Sequence, residues 1–305
     1  NLNRMKHTPK VTIALVLFFF MAQFIGLLII NQYIDHMKTI EQQEVVLKPL
    51  PYGFERPEIK NKSISFVPIL LYIFLGTIML LFIIRMNKPV LLRGMFFISV
   101  AITLSVAFAA FMNTIIAGLL ALTISFLRLY KPNVAIQNFS EVFIYGGLAA
   151  IMVNIFNIFA AFMFLIMISI YDYIAVYKTK HMVNIAKFQT NSRAFAGLLI
   201  PYDKEKISLK YEPLQELTVK RKKTRVAVLG GGDIGFTLIF AGVVMKELML
   251  KETVLIGFLK TLIIPVFVSL ALFALLLKGE QNKFYPAMPI LSLGCFLGYL
   301  IIIFI

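Results

Sequence analysis

Two aspartates lie in stretches of sequence that otherwise carry no charge. Asp172 lies in the run Ile-Ser-Ile-Tyr-Asp-Tyr-Ile-Ala-Val-Tyr, and Asp233 follows three glycines in Val-Leu-Gly-Gly-Gly-Asp-Ile-Gly-Phe. A charge within lipid costs about 2.5–3.5 kcal/mol on insertion scales, so such a residue faces protein or water. Two adjacent carboxyls share one proton near neutral pH, because two neighbouring negative charges repel. One can then activate a water molecule while the other donates a proton, which is the chemistry of peptide-bond hydrolysis.

The spacing of these aspartates from the nearest basic residues predicts that they lie at one depth in a membrane. Asp172 comes six residues before Lys178, about 9 Å along a helix, and Asp233 comes eight residues after Arg225, about 12 Å. The two helices run in opposite directions, so both carboxyls lie below the same membrane face. If the helices are neighbours, the carboxyls can meet. The residues leave open which aspartate is the general base.

Glycines and prolines mark two further segments with unusual backbone properties. The three glycines at 230–232 each weaken a helix by about 1 kcal/mol relative to alanine. They allow the backbone to open or another chain to approach closely, whereas the alternative interpretation is small-residue packing between helices. Because the glycines directly precede a buried aspartate, we favour the interpretation that they pair with an extended substrate. Pro286 and Pro289 predict a stiff start to the last apolar helix.

The composition places most of the chain in lipid. Of 305 residues, 60% are hydrophobic and 15% charged, whereas about half and a quarter are usual in soluble domains. The formal net charge of +15 indicates basic loops facing an anionic cytoplasmic leaflet, and we expect no nucleic-acid partner. The only cysteine, Cys295, excludes an intrachain disulfide, and the three histidines show no metal-ligand spacing. We therefore expect neither a metal nor a cofactor.

The apolar runs predict an all-α, polytopic membrane protein with nine transmembrane helices. A helix needs about 20 apolar residues to cross the hydrocarbon core. Two runs, 94–127 and 142–177, are too long for one helix and are divided near Asn113 and near Asn154 and Asn157. The remaining predicted spans are 11–34, 63–84, 226–245, 254–277 and 284–305.

The predicted spans divide the chain into three parts. We expect an N-terminal bundle at 1–177, a basic loop at 178–225 and a C-terminal bundle at 226–305. The apolar stretch 194–202 is too short to span, and we favour a loosely ordered loop there over a segment that lies on the membrane surface or plugs a cleft. The N-terminus and the even-numbered loops hold 22 of the 30 lysines and arginines, against 7 in the other loops. This asymmetry predicts a cytoplasmic N-terminus and loop 178–225, with the C-terminus outside.

Three motifs in chain order resemble those of the presenilin and signal peptide peptidase family of intramembrane aspartyl proteases. That family carries Tyr-Asp, Gly-x-Gly-Asp and Pro-Ala-Leu, and this sequence looks closest to a compact, microbial (archaeal-type) presenilin homologue. Here the motifs are Tyr171-Asp172, Gly230-Gly231-Gly232-Asp233 and Pro286-Ala287-Met288.

The resemblance implies a presenilin-like bundle in which Asp172 and Asp233 form the catalytic pair. The other motif residues would shape the site and position substrate. Met288 departs from the usual leucine with little change in volume, which bears on substrate preference. The substrates would be single transmembrane helices of other membrane proteins, with the N-terminus outside for the orientation expected here. No obligate partner subunit is evident, and a homo-oligomer is compatible with the sequence.

Two other functions stay open from the residues alone. A prepilin or preflagellin peptidase shares Gly-x-Gly-Asp but lacks the Pro-Ala-Leu element and commonly has fewer spans. A transporter or ion channel also uses buried acids and broken helices. Asn113, Asn154, Asn157 and Pro265 could line such a path, but the weak internal repeats that would favour it are not evident.

Overall fold

The computed structural model describes residues 8–57, 59–178, 185, 188–189, 192, 194–202, 226–279 and 285–305. Helices make up most of these residues, and two strands form one small antiparallel sheet. The first helices are α1 (Pro9–Tyr33), α2 (His36–Gln42), α3 (Phe66–Arg85), α4 (Pro89–Ala109), α5 (Thr114–Tyr130), α6 (Val134–Met152) and α7 (Ile158–Tyr173). They are followed by β1 (Gly197–Pro201), β2 (Val226–Gly230), α8 (Gly231–Lys251), α9 (Val254–Thr261), α10 (Ile263–Lys278) and α11 (Met288–Phe304).

Asparagine side chains cap the helices α5 and α7, which begin where the two long apolar runs were divided. Asn113 accepts a hydrogen bond from the backbone N–H of Ile115 at 2.9 Å and caps α5. Asn157 accepts one from Ala160 N at 2.8 Å and caps α7. An asparagine at this position satisfies an N–H that has no partner within the helix, and so fixes where the helix begins. The predicted divisions near these asparagines are confirmed.

Six helical segments of the described chain are long and apolar enough to cross a membrane. Two shorter apolar helices accompany them, Thr114–Tyr130 and Met288–Phe304. The six long segments are Pro9–Tyr33, Lys62–Arg85, Pro89–Ala109, Val134–Ile155, Ile158–Lys178 and Val254–Lys278.

Helix α1 packs against α6, α8 and α10. Small residues let these helices approach closely. A Cβ on Gly146 of α6 would lie 3.0 Å from the Cα of Gly26 in α1, and a Cβ on Gly26 would overlap Leu238 of α8. Helices in lipid associate through such tight packing, because there is no water to drive them together.

The antiparallel sheet corrects the expectation of a purely α-helical chain. β1 lies in the stretch 194–202 that was expected to be a loose loop, and it pairs with β2 from Gly197↔Gly230 to Pro201↔Val226. Four of the five β1 residues are buried. A strand of this kind needs a partner from elsewhere in the chain, which hydropathy alone does not reveal. Most of the basic loop at 178–225 lies outside the described residues.

Two predicted spans begin or end at the wrong residue. The seventh was expected at 226–245, but residues 226–230 form β2, and the helix α8 continues to Lys251. Lys246 therefore lies within α8 and not in an outer loop, and its Nζ donates to the carbonyls of Val153 at 3.2 Å and Phe156 at 2.8 Å. The last helix begins at Met288, so Pro286 and Ala287 precede it and do not form its first turn.

Candidate active site

Asp172 lies near the end of α7, where the start of α11 contacts its carboxylate. Its side chain is buried, with 7% exposed, and its Oδ2 accepts a hydrogen bond from the backbone N–H of Met288 at 3.1 Å. Because Met288 is the first residue of α11, its N–H has no acceptor within the helix and is free to bind the carboxylate. One turn before Asp172, the hydroxyls of Ser169 and Ser292 share a hydrogen bond of 2.9 Å. The Tyr-Asp and Pro-Ala-Met segments therefore meet directly.

Tyr171 points to a different neighbour from Asp172. Its hydroxyl shares a hydrogen bond of 3.0 Å with the hydroxyl of Thr77 in α3. Consecutive residues on a helix face different directions, so Tyr171 contacts α3 while Asp172 faces the start of α11. This contact positions the turn of α7 that carries the aspartate.

Asp233 lies in the first turn of α8, directly after β2. Its side chain is half-buried. Helices α7 and α8 pack against each other, which is the condition under which the two carboxyls can meet. The two aspartates therefore lie on two helices that pack against each other, Asp172 near the end of α7 and Asp233 in the first turn of α8.

A polar contact from α1 holds the first turn of α8. The buried side chain of Gln23 donates to Ile234 O at 2.9 Å and to the Thr237 hydroxyl at 2.8 Å. That hydroxyl in turn donates to the carbonyl of Asp233 at 2.8 Å. The backbone of the aspartate is thus connected to α1 through two hydrogen bonds. Nothing in the apolar run of α1 other than the single Gln23 pointed to this contact.

The glycines before Asp233 have different surroundings. A methyl group on Gly231 would overlap the hydroxyl of Tyr145, which belongs to α6. A Cβ on Gly235, one turn later, would lie 3.4 Å from the ring of the same tyrosine. A Cβ on Gly230 would contact only the Asp233 side chain, at 3.4 Å from Oδ2. Close approach of another helix therefore accounts for Gly231.

A third buried acid lies in α6, one residue before the predicted run 142–177, although only Asp172 and Asp233 were expected within the spans. Glu141 of α6 is 0% exposed and forms an ion pair with Arg128, which is 2% exposed. Its carboxylate also accepts hydrogen bonds from Gln137 Nε2 at 3.2 Å and from the Tyr145 hydroxyl. Residues 137, 141 and 145 are four residues apart, and this i, i+4 spacing places their side chains on one helix face. That spacing was the signal in the sequence that could have revealed the cluster.

The same face of α6 fixes the sheet that leads to Asp233. Asn138 donates to Leu199 O at 2.8 Å and accepts from Leu199 N at 2.9 Å. Gln137 Nε2 lies 3.0 Å from the carbonyls of both Phe195 and Gly197. The outward-facing backbone of β1 is therefore satisfied by side chains of α6, and β1 in turn holds β2.

Comparison with known proteins agrees with this architecture. The sequence profile described as "Signal-peptide peptidase, presenilin aspartyl protease" matches residues 25–305. Two solved structures of a presenilin family intramembrane aspartate protease share the fold. The one in space group C222 has a TM-score of 0.58 and 16% identity, with 95% of each chain covered. The one in space group P2 has a TM-score of 0.56 and 17% identity, covering 95% of this chain and 96% of the other. No curated protein sequence matches this chain.

Proposed function

The chain belongs to the signal-peptide peptidase and presenilin family of aspartyl proteases, and we propose that Asp172 and Asp233 are its catalytic pair. It is a multi-pass membrane protein and an intramembrane aspartic endopeptidase. The observation that carries the assignment is the meeting of the three motif segments. Asp172 accepts a hydrogen bond from the N–H of Met288, and its helix α7 packs on α8, whose first turn carries Asp233.

The proposed reaction needs one proton shared between the two carboxyls. The ionised aspartate removes a proton from water, and the water oxygen attacks the carbonyl carbon of the substrate peptide bond. The protonated aspartate donates its proton to the carbonyl oxygen, which gives a neutral tetrahedral diol. When the diol collapses, the C–N bond breaks, the leaving nitrogen receives the proton that the first base took from water, and the other carboxylate removes a proton from a diol hydroxyl as the C=O bond re-forms. Either aspartate satisfies this balance as the first base.

The sheet supports binding of the substrate as an extended strand. A helical substrate exposes no free amide, so it must unwind before its peptide bond can be attacked. One edge of β2 pairs with β1, and no other strand among the described residues pairs with β2. Val228, in the middle of β2, is 50% exposed. An unwound substrate segment adds to such an edge through backbone hydrogen bonds, and β2 leads directly to Asp233.

The proposed topology has nine spans, because α5, α8 and α11 join the six long apolar segments. The N-terminal bundle at 1–177 would supply Asp172, and the C-terminal bundle at 226–305 would supply Asp233 and the Pro286-Ala287-Met288 segment. The loop 178–225 and the N-terminus would face the cytoplasm, and the C-terminus would lie outside. Moving Lys246 from an outer loop into α8 strengthens the charge asymmetry behind this orientation. The substrates would be single-span proteins with an outside N-terminus, cleaved without an obligate partner subunit.

The test is cleavage of a single-span reporter by the purified protein in liposomes. We expect the native chain to cut within the span, and Asp172→Ala and Asp233→Ala each to lose more than about 10²–10⁴-fold in rate, the usual contribution of acid–base catalysis. Asp35→Ala is the matched control, because Asp35 lies in the turn between α1 and α2, where it caps α2 and pairs with the exposed Lys38. Full activity of either site variant would refute the assignment. Ion flux through the vesicles without cleavage would instead favour a channel.

A further inference from the structure

We propose that Tyr145 of α6 is a positioning residue for Asp233, which it places by packing its hydroxyl against the backbone of Gly231. This inference rests on the catalytic role proposed above for Asp233. It adds a residue from a helix that carries none of the three motifs. The Tyr145 side chain contacts the backbone two residues before Asp233, and it acts on the position of the aspartate through that backbone.

The geometry places Tyr145 against two successive turns of α8. The hydroxyl, Cζ and Cε1 of Tyr145 are the nearest atoms to where a Cβ of residue 231 would lie, with Cζ at 2.7 Å and Cε1 at 2.9 Å. The ring edge lies 3.4 Å from a Cβ at residue 235. Tyr145 is only 5% exposed. The tyrosine therefore fills the space beside the first turn of α8.

The hydroxyl of Tyr145 is held by a buried cluster. It donates to the carboxylate of Glu141, which is paired with Arg128 at the end of α5. Arg128 also donates to the Ser140 hydroxyl at 2.8 Å and to Phe195 O at 2.9 Å. A tyrosine bound in this way cannot rotate out of the contact without leaving a buried carboxylate short of a donor. The Tyr145 side chain is therefore held in one position and limits how far the backbone at Gly231 can move toward α6.

The backbone on the other side of Gly231 is also fixed. The N–H of Gly231 donates to Ala196 O at 3.2 Å, which continues the pairing of β2 with β1. Gly231 is thus held between the sheet and the tyrosine, two residues before Asp233. In the motif Gly-x-Gly-Asp it occupies the variable position. Here the volume that a side chain at x would take is filled from α6 by Tyr145.

This interpretation differs from the one based on backbone freedom. If Gly231 is needed so that the chain can open for substrate, an alanine there is harmful whatever residue stands at 145. If Gly231 is needed because Tyr145 occupies its Cβ position, a smaller side chain at 145 makes the alanine acceptable. The two explanations therefore give opposite results in a double variant.

The experiment compares Gly231→Ala, Tyr145→Leu and the double variant in the reporter assay, with kcat, KM and thermal stability measured for each. We expect Gly231→Ala to lower kcat about 10- to 100-fold with little change in KM, as a displacement of about 1 Å at a reacting group does. Tyr145→Leu should also lower kcat, because the first turn of α8 loses this contact. The double variant should recover at least about tenfold in kcat over Gly231→Ala.

Two controls separate positioning from general packing. Gly242→Ala, also in α8, would press on Ile30 and Val153, and Tyr145→Leu should not rescue it. Tyr33→Leu removes another buried tyrosine, which donates to Val106 O at 2.7 Å, and should lower stability but not kcat.

A double variant no more active than Gly231→Ala would overturn the proposal, as would native kcat in both single variants. If Gly231→Ala does not fold, recovery of folded protein in the double variant supports the proposal, and failure there overturns it. The native chain and Asp233→Ala are run alongside. If Asp233→Ala stays active, the catalytic assignment fails, whatever the double variant shows.

Discussion

The ion pair between Arg128 and Glu141 gives the sharpest stability prediction. Both side chains are fully enclosed, so removal of one partner leaves the other as an uncompensated buried charge. We expect Arg128→Met and Glu141→Gln each to lower the free energy of unfolding by about 3–5 kcal/mol.

The double variant should be far less damaged than the sum of the two single variants. Without Arg128, the carbonyl of Phe195 keeps its hydrogen bond from Gln137 at 3.0 Å. The Ser140 hydroxyl also keeps its bond to Gln137 O at 2.8 Å. No buried charge is then left unpaired, so we expect the double variant to cost no more than either single variant. The coupling energy would be at least about 3 kcal/mol.

The assay is unfolding of the purified protein by a denaturing detergent, followed by circular dichroism in a double-mutant cycle. The matched control is the pair Lys260–Glu252, with an N–O distance of 2.6 Å and side chains 21% and 26% exposed. A partly exposed pair is worth about 0–1 kcal/mol, so its cycle should show little coupling. Additive costs at Arg128 and Glu141, or equal coupling in both pairs, would contradict the reasoning.

Two further predictions concern the sheet. Asn138→Ala leaves the N–H and the C=O of Leu199 without their side-chain partner and should lower the free energy of unfolding by about 2–4 kcal/mol, together with kcat. Asn133→Ala removes only an exposed helix cap and should cost about 1 kcal/mol with kcat unchanged, so equal effects would refute the docking role. A cysteine at Val228 should react with a charged thiol reagent from the cytoplasmic side, whereas one at the 1% exposed Ala227 should not. Reaction only from the outside would reverse the proposed orientation.

The apolar pattern predicted the helices well, because lipid allows few alternatives for a long uncharged run. Asn113 and Asn157 marked real breaks, since a cap needs only local sequence. The depth argument for Asp172 and Asp233 assumed regular helical rise between Arg225 and Asp233, but residues 226–230 form β2, so that assumption is wrong and the shared depth stays a prediction. The confirmed inferences depend on residues near one another in the chain.

Features that depend on distant partners were missed. The five residues of β2 are as apolar as the sequence of a transmembrane helix. They form a strand because they pair with β1. Glu141 was placed at the edge of a span, because its partner Arg128 comes from the previous helix and neutralises it there. Lys246 was placed in a loop, although carbonyls at the break between α6 and α7 bind it within the bundle. Hydropathy counts a charge as exposed and cannot anticipate such compensation.

The pairing of β1 with β2 also bears on whether the polypeptide must be continuous. The strands belong to opposite sides of the interval 202–225, and five residue pairs join them. Helices from the first part, α1, α6 and α7, pack directly on α8 from the second. A broken peptide bond within that interval would therefore leave two fragments bound side by side with both aspartates in place. The fold therefore consists of two interlocking segments of one chain. If the two segments were expressed from separate genes, they would be expected to assemble the same site.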